Sequence, residues 1–504
     1  MWAQALGATP WGIEARPVKV EADVRNGLPT FRIVGLPDAA VRESQERVAA
    51  AVRNSGFEVP PKVFTINLAP ADIRKEGNYL DLPIALALLA ALGYLDPHTL
   101  KGRLFCSELG LDGRLRSIRG GLAVSDLAAR KQIDEVILPV SSGAEAAALG
   151  AVAVITAGSL PQLINHLRGI EQISPVEPEP FNPSTQPARN LNQVKGQMVA
   201  KRALEIAAAG GHNLLFTGPP GCGKTLLSAC LPGILPPLSR LEALTVTKIH
   251  SIVSEAQPEG LVTSRPFRAP HASVSTAGLL GGGSVPRPGE VSLAHHGVLF
   301  LDELPEFKRQ ALEGLRQPLE DGRVTISRAQ GRYTFPARAQ LLAARNPCPC
   351  GYLGHPTHEC ECSQAMIERY RCRISGPLLD RIDLQVEVGV VPWNEVRREN
   401  YEESAVVAQR VAQARYRQNQ RNGNRLNRQL NSSQLTRWCQ LDGEAETLMT
   451  TAYQRLSLSV RALHKIQKVA RTIADLSANE TVAANHLAEA LQYRALPNRQ
   501  AAEV

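Results

Sequence analysis

The sequence predicts an α/β fold built around buried strands, preceded by an α+β region and followed by a helical region. Three observations support this prediction. The apolar residues 213–217 lead into a glycine-rich loop, and a helix-forming stretch follows that loop. A second apolar run, residues 297–301, is followed by two acidic residues. Residues 18–24 alternate between apolar and polar side chains, which is typical of a half-buried strand.

Residues 1–170 carry the patterns of the predicted α+β region. The predicted strands cover residues 18–24, 30–34 and 136–138, and the predicted helices cover residues 39–55 and 82–92. Residues 171–190 follow and contain five prolines, which prevent helix formation because proline lacks an amide N–H. We expect this stretch to be a semi-rigid linker between two domains.

The glycine-rich loop matches the phosphate-binding pattern G-x-x-x-x-G-K-[ST]. Its residues are Gly218, Pro219, Pro220, Gly221, Cys222, Gly223, Lys224 and Thr225. Backbone N–H groups of such a loop hold phosphate oxygens. Lys224 then reaches the β- and γ-phosphates, and Thr225 supplies a hydroxyl to Mg²⁺. The loop therefore predicts an ATP and Mg²⁺ site, in which Cys222 is a small packing residue.

Two further strand ends supply polar residues to the same site. Asp302 and Glu303 follow the apolar run 297–301, an arrangement known as Walker B. We expect Asp302 to hold Mg²⁺ and Glu303 to orient the attacking water. Asn346 follows residues 341–345, and we expect it to lie between the two Walker strands and to sense the γ-phosphate. A glutamate directly after the aspartate favours an ATP-hydrolysing motor over a kinase.

Two inserts accompany these motifs. Residues 324–335 contain two strand-forming runs around a Gln-Gly pair, which predicts a β-hairpin with Arg328 and Arg332 near its turn. An ordinary surface hairpin with solvated arginines is the alternative. The glycine-rich residues 278–283 are predicted to form a flexible loop.

A cysteine cluster follows Asn346 by two residues and has the pattern of two C-x-C pairs. Its members are Cys348, Cys350, Cys360 and Cys362. Four thiolates can hold a tetrahedral Zn²⁺, and metal binding here could affect the ATP site. His355, His358 and Cys372 are alternative ligands. Reduced free thiols and a redox switch are the alternatives to a metal site.

The 504 residues carry a formal net charge of +8. Residues 1–180 contribute −2 and residues 181–504 contribute +10, so the basic excess accompanies the predicted ATP site. This favours a polyanionic partner such as nucleic acid, with scattered solvated charge as the alternative. No apolar run is long enough for a membrane span, and residues 1–4 lack the start of a secretion signal. With nine cysteines, these features predict a cytoplasmic protein.

Helices are predicted over residues 395–420, 459–475 and 482–494. The first of them and the turn after it are rich in arginine: Arg410, Arg415, Arg417, Arg421, Arg425 and Arg428. These arginines form either a second nucleic-acid contact or a solvated helix face.

Within residues 1–170, residues 67–81 and 108–123 resemble the Lon-protease-like domain, which has a ribosomal S5 domain 2-like fold. In the proteases the first segment carries a nucleophilic serine and the second a lysine base. Tyr79 stands at the serine position and Ala123 at the lysine position, and neither residue can replace its counterpart. The resemblance therefore implies a non-proteolytic domain that serves binding or assembly.

The order and spacing of the motifs in residues 191–390 resemble an AAA+ ATPase core, and residues 391–504 resemble its helical lid. Three stretches narrow the resemblance to the magnesium-chelatase-like family, in its YifB/ComM branch. They are residues 287–295, 299–307 and 375–384. The resemblance covers nearly the whole chain. It departs from the family pattern at Ala272, where a second histidine after His271 is expected, and this weakens any role for paired histidines.

The resemblance implies a homo-hexameric ring with ATP bound between subunits. Arg381 is then the arginine finger that reaches a neighbour's γ-phosphate. Arg371 and Arg373 are rival fingers, and an ordinary ion pair is the alternative role for Arg381. Arg461 is expected to be a sensor that reaches the nucleotide of its own subunit.

The resemblance also implies that the hairpin faces the pore of the ring, where Arg328 and Arg332 contact the phosphates of single-stranded or branched DNA. The implied function is an ATP-driven DNA motor, a helicase or branch-migration enzyme, in recombination of DNA taken up by natural transformation. A second hypothesis is a chaperone-like motor for metal insertion, as in magnesium chelatase. A third hypothesis, a Lon-type protease, is disfavoured by Tyr79 and Ala123.

Overall fold

A computed structural model of the chain describes residues 1–184, 189–253, 260–328, 331–397 and 401–494. Three regions follow one another along the chain: a seven-stranded sheet with helices, a five-stranded parallel sheet with helices, and a group of helices. This confirms the predicted fold class. Among the helices in the described ranges, none combines the length and the apolar character that crossing a bilayer requires.

The N-terminal region is built on a mixed sheet in the order β3-β4-β2-β1-β5-β8-β9. Its strands, with the separate β6–β7 pair, are β1 Trp2–Trp11, β2 Glu14–Arg25, β3 Thr30–Val34, β4 Val63–Ala69, β5 Arg103–Phe105, β6 Glu108–Leu109, β7 Leu115–Arg116, β8 Glu135–Pro139 and β9 Ala153–Ala157. β1 and β2 form a long antiparallel hairpin from the pair Trp2–Asp23 to the pair Trp11–Glu14. The turn of this hairpin therefore projects from the end of the sheet.

Helices cover this sheet: α1 Ala39–Asn54, α2 Asp81–Ala91, α3 Gly121–Lys131, α4 Gly143–Ala147 and α5 Leu160–Leu167. Every residue of α2 is buried, so α2 is the centre of the N-terminal core. The buried carboxylate of Asp81 is paired with Arg47, whose Nε lies 2.9 Å from Asp81 Oδ2. A buried charge needs such a partner, and the pair ties α1 to α2.

The central region contains β10 Leu214–Thr217, β11 Phe267–Arg268, β12 Gly281–Gly282, β13 Arg287–Pro288, β14 Val298–Leu301, β15 Arg323–Arg328, β16 Gly331–Pro336, β17 Gln340–Arg345 and β18 Leu384–Glu387. The strands in the order β11-β14-β17-β10-β18 form a parallel sheet. β10, β14 and β17 are almost wholly apolar because helices cover both faces of a parallel sheet. Their carboxyl ends meet at one edge, where ligands bind in such sheets.

The central helices are α6 Met198–Gly210, α7 Lys224–Cys230, α8 Arg240–Val253, α9 Thr276–Leu280, α10 Glu290–Leu293, α11 Arg309–Gly314, α12 Arg316–Asp321, α13 Gln364–Arg371, α14 Gly376–Leu379 and α15 Trp393–Val396. The C-terminal helices are α16 Ser404–Asn422, α17 Ser432–Trp438, α18 Gly443–Arg455, α19 Val460–Leu476 and α20 Ala484–Gln492. Val411 and Ile466 of this group belong to the same hydrophobic core as Phe216 of β10. The C-terminal helices therefore pack directly against the central sheet.

The predicted strands and helices of the N-terminal region are confirmed as β2, β3, β8, α1 and α2. The helix predicted over residues 395–420 is wrong at its start, because α16 begins at Ser404. The Tyr401 hydroxyl donates to the carbonyl oxygen of Glu395 at 2.6 Å, a local contact that the helical pattern does not reveal. Residues 398–400 lie outside the described part of that prediction. Residues 171–184 of the predicted linker contain no helix or strand, and its residues 185–188 lie outside the described ranges.

Candidate functional site

The loop after β10 turns closely over the end of the neighbouring strand. Gly221 and Gly223 have φ angles of 76° and 89°, in the left-handed region that favours glycine. A Cβ atom at Gly218 would lie 2.1 Å from the carbonyl oxygen of Val388. Only glycine therefore lets the loop pass the end of β18 at this distance. The loop then leads into α7.

Lys224 spans the loop that precedes it. Its Nζ donates to the carbonyl oxygens of Gly218 and Pro219, each at 2.8 Å, and lies 3.2 Å from Oδ1 of Asn346. The residue is 8% exposed, so its ammonium group is held inside the site. An ammonium above a ring of backbone amides is suited to phosphate oxygens.

Thr225 and Asp302 connect the loop to the end of β14. The Thr225 hydroxyl donates to Oδ2 of Asp302 at 2.7 Å. A hydroxyl and a carboxylate are oxygen ligands of the kind that Mg²⁺ takes, so this pair fits a Mg²⁺ ion. The sequence predicted both residues from separate motifs, and the structure brings them into contact.

Glu303 directly follows this pair and is exposed. Its φ angle is 50°, which is uncommon for a residue other than glycine and is found at functional sites. Its N–H donates to Oδ1 of Asp302 at 2.9 Å, which fixes the backbone of the turn. Within the described residues, the Glu303 carboxylate has no hydrogen-bonding partner and is available to a bound ligand or water.

Asn346 directly follows β17, and β17 lies between β10 and β14, as predicted. Two neighbours of Asn346 were not predicted from the sequence. Tyr370 hydrogen-bonds the backbone of Asn346, and burial raises the pKa of the Tyr370 hydroxyl. Arg345 Nε donates to the hydroxyl of Thr217 at 3.1 Å, and burial lowers the pKa of Arg345. These contacts hold the strand ends together. No sequence motif predicts them.

Arg381 lies at the opposite, amino edge of the same sheet. Its carbonyl oxygen accepts from Nδ2 of Asn213 at 2.8 Å, and Asn213 directly precedes β10. Its guanidinium donates to the carbonyl oxygens of Arg316 and Pro377 and lies 2.7 Å from Oε1 of Glu320. β10 has four residues and is about 13 Å long, which separates Arg381 from this chain's own phosphate loop.

Arg461 lies beside Arg381. Its guanidinium donates to Oε1 of Glu320, the same carboxylate oxygen that contacts Arg381. The expectation that Arg461 reaches the nucleotide of its own subunit is therefore not met in this structure. The first turn of α19 approaches α12 at the amino edge, not the loop at the carboxyl edge. Glu320 is a site residue that the sequence did not indicate.

The rival fingers Arg371 and Arg373 lie on the carboxyl-edge side of the sheet. Arg373 is paired with Glu306, at 2.7 Å, just after the Walker B turn. Arg371 is exposed and close enough to Arg345 to lower the pKa of that guanidinium further. Of the three candidates, Arg381 alone lies at the edge far from its own loop.

The four predicted cysteines come together. Their Sγ atoms all lie within 4.8 Å of one another, and Cys348 lies 3.3 Å from Cys350 and 3.6 Å from Cys360. A hydrogen bond from the backbone of Tyr352 lowers the pKa of Cys350, whereas contacts with the neighbouring thiols raise the pKa values of Cys360 and Cys362. The donor set and its spacing therefore fit a tetrahedral Zn²⁺.

The alternative ligands lie outside this group. Nδ1 of His355 accepts hydrogen bonds from the backbone amides of Thr357 and His358, and Cys372 is exposed. The cluster also contacts the phosphate loop, because a Cβ atom at Gly351 would lie 2.8 Å from the ring of Pro220. The cluster and the loop therefore cannot shift independently at this point.

The predicted hairpin is formed by the antiparallel pair β15 and β16, with Arg328 opposite Gly331 and Ser327 opposite Arg332. Residues 329 and 330 of the turn lie outside the described part. Arg328 and Arg332 are both exposed. The flexible loop predicted at residues 278–283 is wrong, because α9 ends there and β12 pairs with β13.

Of the six arginines singled out in the C-terminal region, five have partners within the protein, so the predicted solvated helix face is wrong for them, while the nucleic-acid contact stays a prediction. Arg410 pairs with Glu205 and Glu402, and Arg421 pairs with the buried Asp475. Arg415 donates to a backbone carbonyl of α6, and Arg417 to one of α19. Arg428 lies 3.5 Å from the buried Asp383. Arg425 remains exposed. The basic excess of this region therefore overstates the charge that a polyanion could contact.

Tyr79 and Ala123 both lie in one small apolar cluster of the N-terminal region. Burial raises the pKa of Tyr79 to about 12, so its hydroxyl stays protonated at neutral pH. Ala123 has no titratable group. These two positions therefore cannot supply a nucleophile and a base.

Family comparisons match three segments of the chain. The model for "Magnesium chelatase, subunit ChlI" matches residues 190–396, the model for "Subunit ChlI of Mg-chelatase" matches residues 20–142, and the model for its C-terminal part matches residues 401–494. Together these segments contain the loop, the Walker B turn and both edges of the sheet.

Relatives match along almost the full length. The chain is 45% identical over 492 residues to the competence protein ComM of Haemophilus influenzae, covering 96% of each chain. It is 42% identical over 488 residues to the uncharacterized protein YifB of Escherichia coli, covering 96% of this chain and 95% of the relative. An uncharacterized protein of Mycobacterium tuberculosis is 40% identical over 500 residues, covering 97% of this chain and 98% of the relative. The chain therefore belongs to the magnesium-chelatase-like AAA+ family, in its YifB/ComM branch.

Proposed function

We propose that this protein is an ATPase whose site lies at the carboxyl edge of the central sheet. The phosphate loop and Lys224 bind the triphosphate, and Asn346 contacts Lys224 where the γ-phosphate would lie. Thr225 and Asp302 would hold Mg²⁺, and the ion would supply neutralisation of phosphate charge. Glu303 orients and polarises the attacking water, since its carboxylate is exposed beside this pair.

We further propose that a neighbouring copy completes this site, as in a hexameric ring. Arg381 and Arg461 lie together at the amino edge, about one strand length from their own loop. Both arginines share the carboxylate of Glu320. The Arg461 side chain is 56% exposed, whereas the Arg381 side chain is 10% exposed and must leave this carboxylate to reach a second chain's γ-phosphate. A finger of this kind contributes about 10³ to 10⁵ in rate.

The substrate on which the motor acts is proposed to be single-stranded or branched DNA. The observation that carries this proposal is the pair of exposed arginines, Arg328 and Arg332, on a hairpin between the Walker B strand and β17. Arginines that contact phosphates bind without regard to sequence. The name of one relative, the competence protein ComM of Haemophilus influenzae, supports a role in recombination of DNA during natural transformation.

The test is the ATPase rate of the full chain with and without single-stranded and forked DNA, over a salt series. We expect strong stimulation that falls with salt, and unwinding of the fork. Replacing Arg328 and Arg332 by alanine should lower the salt slope by about 0.7 per lost contact. Arg425→Ala, at an exposed arginine of the C-terminal region, is the matched control. No stimulation at low salt would reject the DNA proposal.

A second candidate is a chaperone-like motor for metal insertion. The matching family models, which describe a subunit of magnesium chelatase, favour this candidate. This role requires a separate chelating subunit and no DNA. The same ATPase series separates the two candidates, because a metal-insertion motor would show no response to DNA.

We propose that the cysteine cluster holds a structural Zn²⁺ beside the ATP site. Metal analysis of the full chain, purified under reducing conditions without chelator, should find about one equivalent of zinc. Cys348→Ser should lose the metal, and Cys372→Ser, at the exposed cysteine outside the cluster, should keep it. A zinc content near zero in the unaltered chain would reject the site.

We propose domain boundaries at the predicted positions: 1–170, a linker at 171–190, an ATPase core at 191–390 and a lid at 391–504. The first domain is proposed to be non-proteolytic, since Tyr79 and Ala123 lack the required chemistry. The protein is proposed to act in the cytoplasm. Absence of peptidase activity toward unfolded substrates in the presence of ATP is the expected result.

A further inference from the structure

The N-terminal region contacts the central region at α8. Nζ of Lys248 on α8 lies 2.9 Å from a carboxylate oxygen of Asp126 on α3. The Arg240 guanidinium donates to the carbonyl oxygens of Ala148 and Leu149, at 3.0 and 3.1 Å. α8 is the next long helix after α7, which follows the phosphate loop. This first contact therefore lies close in the chain to the ATP site.

The second contact joins the turn between β1 and β2 to the hairpin of β15 and β16. The rings of Trp11 and Tyr333 are stacked, with centroids 4.6 Å apart and an interplanar angle of 26°. The Arg16 guanidinium lies 3.8 Å from the centroid of the Trp11 ring. A Cβ atom at Gly331 would lie 2.8 Å from the same ring. An aromatic pair, a cation–π contact and a close glycine approach thus meet at Trp11.

The alternation of β16 determines which side of the hairpin this contact covers. Successive side chains of a strand point to opposite faces. Tyr333 and Phe335 are buried, whereas Arg332 and Thr334 between and beside them are exposed. Seating Tyr333 on Trp11 therefore turns Arg332 outward, away from the N-terminal region.

We propose that the N-terminal region positions the DNA-contacting hairpin. Trp11 and Arg16 form a seat for Tyr333, and this seat holds Arg332, on the opposite face of the hairpin, toward the nucleic acid. Arg328, opposite Gly331, lies on the seated face beside the hairpin turn. The contact between α3 and α8 also attaches the N-terminal region to the ATP-binding region. This role rests on the proposed DNA motor. It gives a function to the N-terminal region, which lacks the residues of a protease.

The physical consequence is a second connection between the ATP site and the hairpin. A displacement of the hairpin relative to α8 must either carry the N-terminal region with it or break the Trp11–Tyr333 stack. Trp11 is therefore a positioning residue, acting on DNA through Tyr333 rather than by contact.

The first test detects the seat without DNA. Limited trypsin digestion of the full chain, followed by mass spectrometry, measures cleavage after Arg328 and Arg332. Cleavage of a transiently opened segment follows the population of the open form. Trp11→Ala should increase these two rates about five-fold, since a stacked pair and its cation–π contact are lost. Trp11→Phe should keep the rates near those of the unaltered chain.

Trp2→Ala is the matched control, because Trp2 lies on the same strand and is 60% exposed. It should leave the two cleavage rates unchanged. Equal rates for Trp11→Ala, Trp11→Phe and the unaltered chain would overturn the seat. A uniform increase at all tryptic sites in Trp11→Ala would indicate a folding defect, and Arg16→Ala, which removes the cation–π contact alone, then carries the test. An increase confined to Arg328 and Arg332 is expected, and no increase there would overturn the seat.

The second test measures the ratio of ATPase rates with and without an oligo-dT strand. Trp11→Ala should lose most of this stimulation, and Trp11→Phe should restore it. Faster cleavage at Arg328 and Arg332 with full stimulation would overturn the positioning role. Absence of stimulation in the unaltered chain would instead reject the DNA motor, while the digestion result would still decide whether the seat exists.

Discussion

The two edges of the central sheet carry different sets of candidate site residues and are built in different ways. At the carboxyl edge, Lys224, Thr225 and Asp302 each follow a buried strand within a few residues. At the amino edge, Glu320, Arg381 and Arg461 come from three elements separated by up to 141 positions. One edge is therefore specified locally, whereas the other exists only after the chain has folded. Under the proposed function, a complete site takes the carboxyl edge of one copy and the amino edge of another.

The largest expected effect concerns the amino edge. Arg381→Ala should lower kcat for ATP hydrolysis by about 10³ to 10⁵, because the charge that develops on the γ-phosphate loses its partner. Nucleotide binding should remain, since the phosphate loop is untouched. Steady-state kinetics and binding of a fluorescent ATP analogue measure the two quantities. A kcat within a few-fold of the unaltered chain would remove Arg381 from the chemistry.

The next effect concerns the carboxyl edge. Glu303→Gln should lower kcat by about 10² to 10⁴, because an amide cannot accept a proton from water. The amide is isosteric, and the Glu303 side chain has no partner in the described residues, so the melting temperature should not change. Glu306→Gln, three residues further and paired only with Arg373 in the described part, is the control and should retain most activity.

The amino edge also contains a buried histidine, which predicts a pH dependence of stability. Burial lowers the pKa of His212 to about 4 from an ordinary value of 6.5. Between these values the unfolded chain binds a proton that the folded chain excludes. Stability should therefore be retained above pH 6.5 and fall as the pH drops toward 4, by up to about 1.4 kcal/mol per pH unit.

Denaturant unfolding at pH 7 and pH 5 measures this loss. His212→Asn should lose less stability between the two pH values than the unaltered chain, because an amide does not titrate. An equal loss in both proteins would show that other groups dominate and that His212 is not the source.

The smallest effect concerns the Glu320 carboxylate, which contacts both Arg381 and Arg461. Glu320→Gln should lower kcat a few-fold by loosening Arg381 and Arg461. It should change the free energy of unfolding by less than about 1 kcal/mol, since Arg381 keeps its two backbone carbonyl partners and an ion pair with the exposed Arg461 contributes little. Glu313→Gln, on the same face but paired with Arg316, is the matched control. A rate unchanged by Glu320→Gln but lowered by the control would contradict the assigned role of Glu320.

The contrast between the edges also explains how far the sequence could be interpreted. The motif at residues 218–225 and the acids after β14 were predictable, because each motif carries its own strand and turn. Glu320 was not, because an exposed glutamate on a short helix has no distinguishing pattern. The contact of Arg461 with Glu320 was not predictable for the same reason: the position of Arg461 depends on how α19 packs against α12.

The remaining errors have similar causes. β1 was not predicted, since Gly7 and Pro10 interrupt its pattern, yet it pairs with β2 along its full length. The glycines at 278–283 suggested flexibility, whereas a Cβ atom at Gly281 would lie 2.6 Å from the carbonyl oxygen of Arg287. These glycines permit close packing. The contact between Tyr333 and Trp11 joins residues more than 300 positions apart. No pattern in the sequence near either residue predicts it.

Mixing two inactive variants tests most directly whether the two edges come from different copies. Lys224→Ala inactivates the carboxyl edge of its own chain, and Arg381→Ala inactivates the amino edge. In an equal mixture, random assembly leaves about a quarter of the interfaces with both edges intact. We predict that ATPase activity returns to about that fraction of the unaltered rate. A mixture no more active than the two variants measured separately would contradict a site shared between copies.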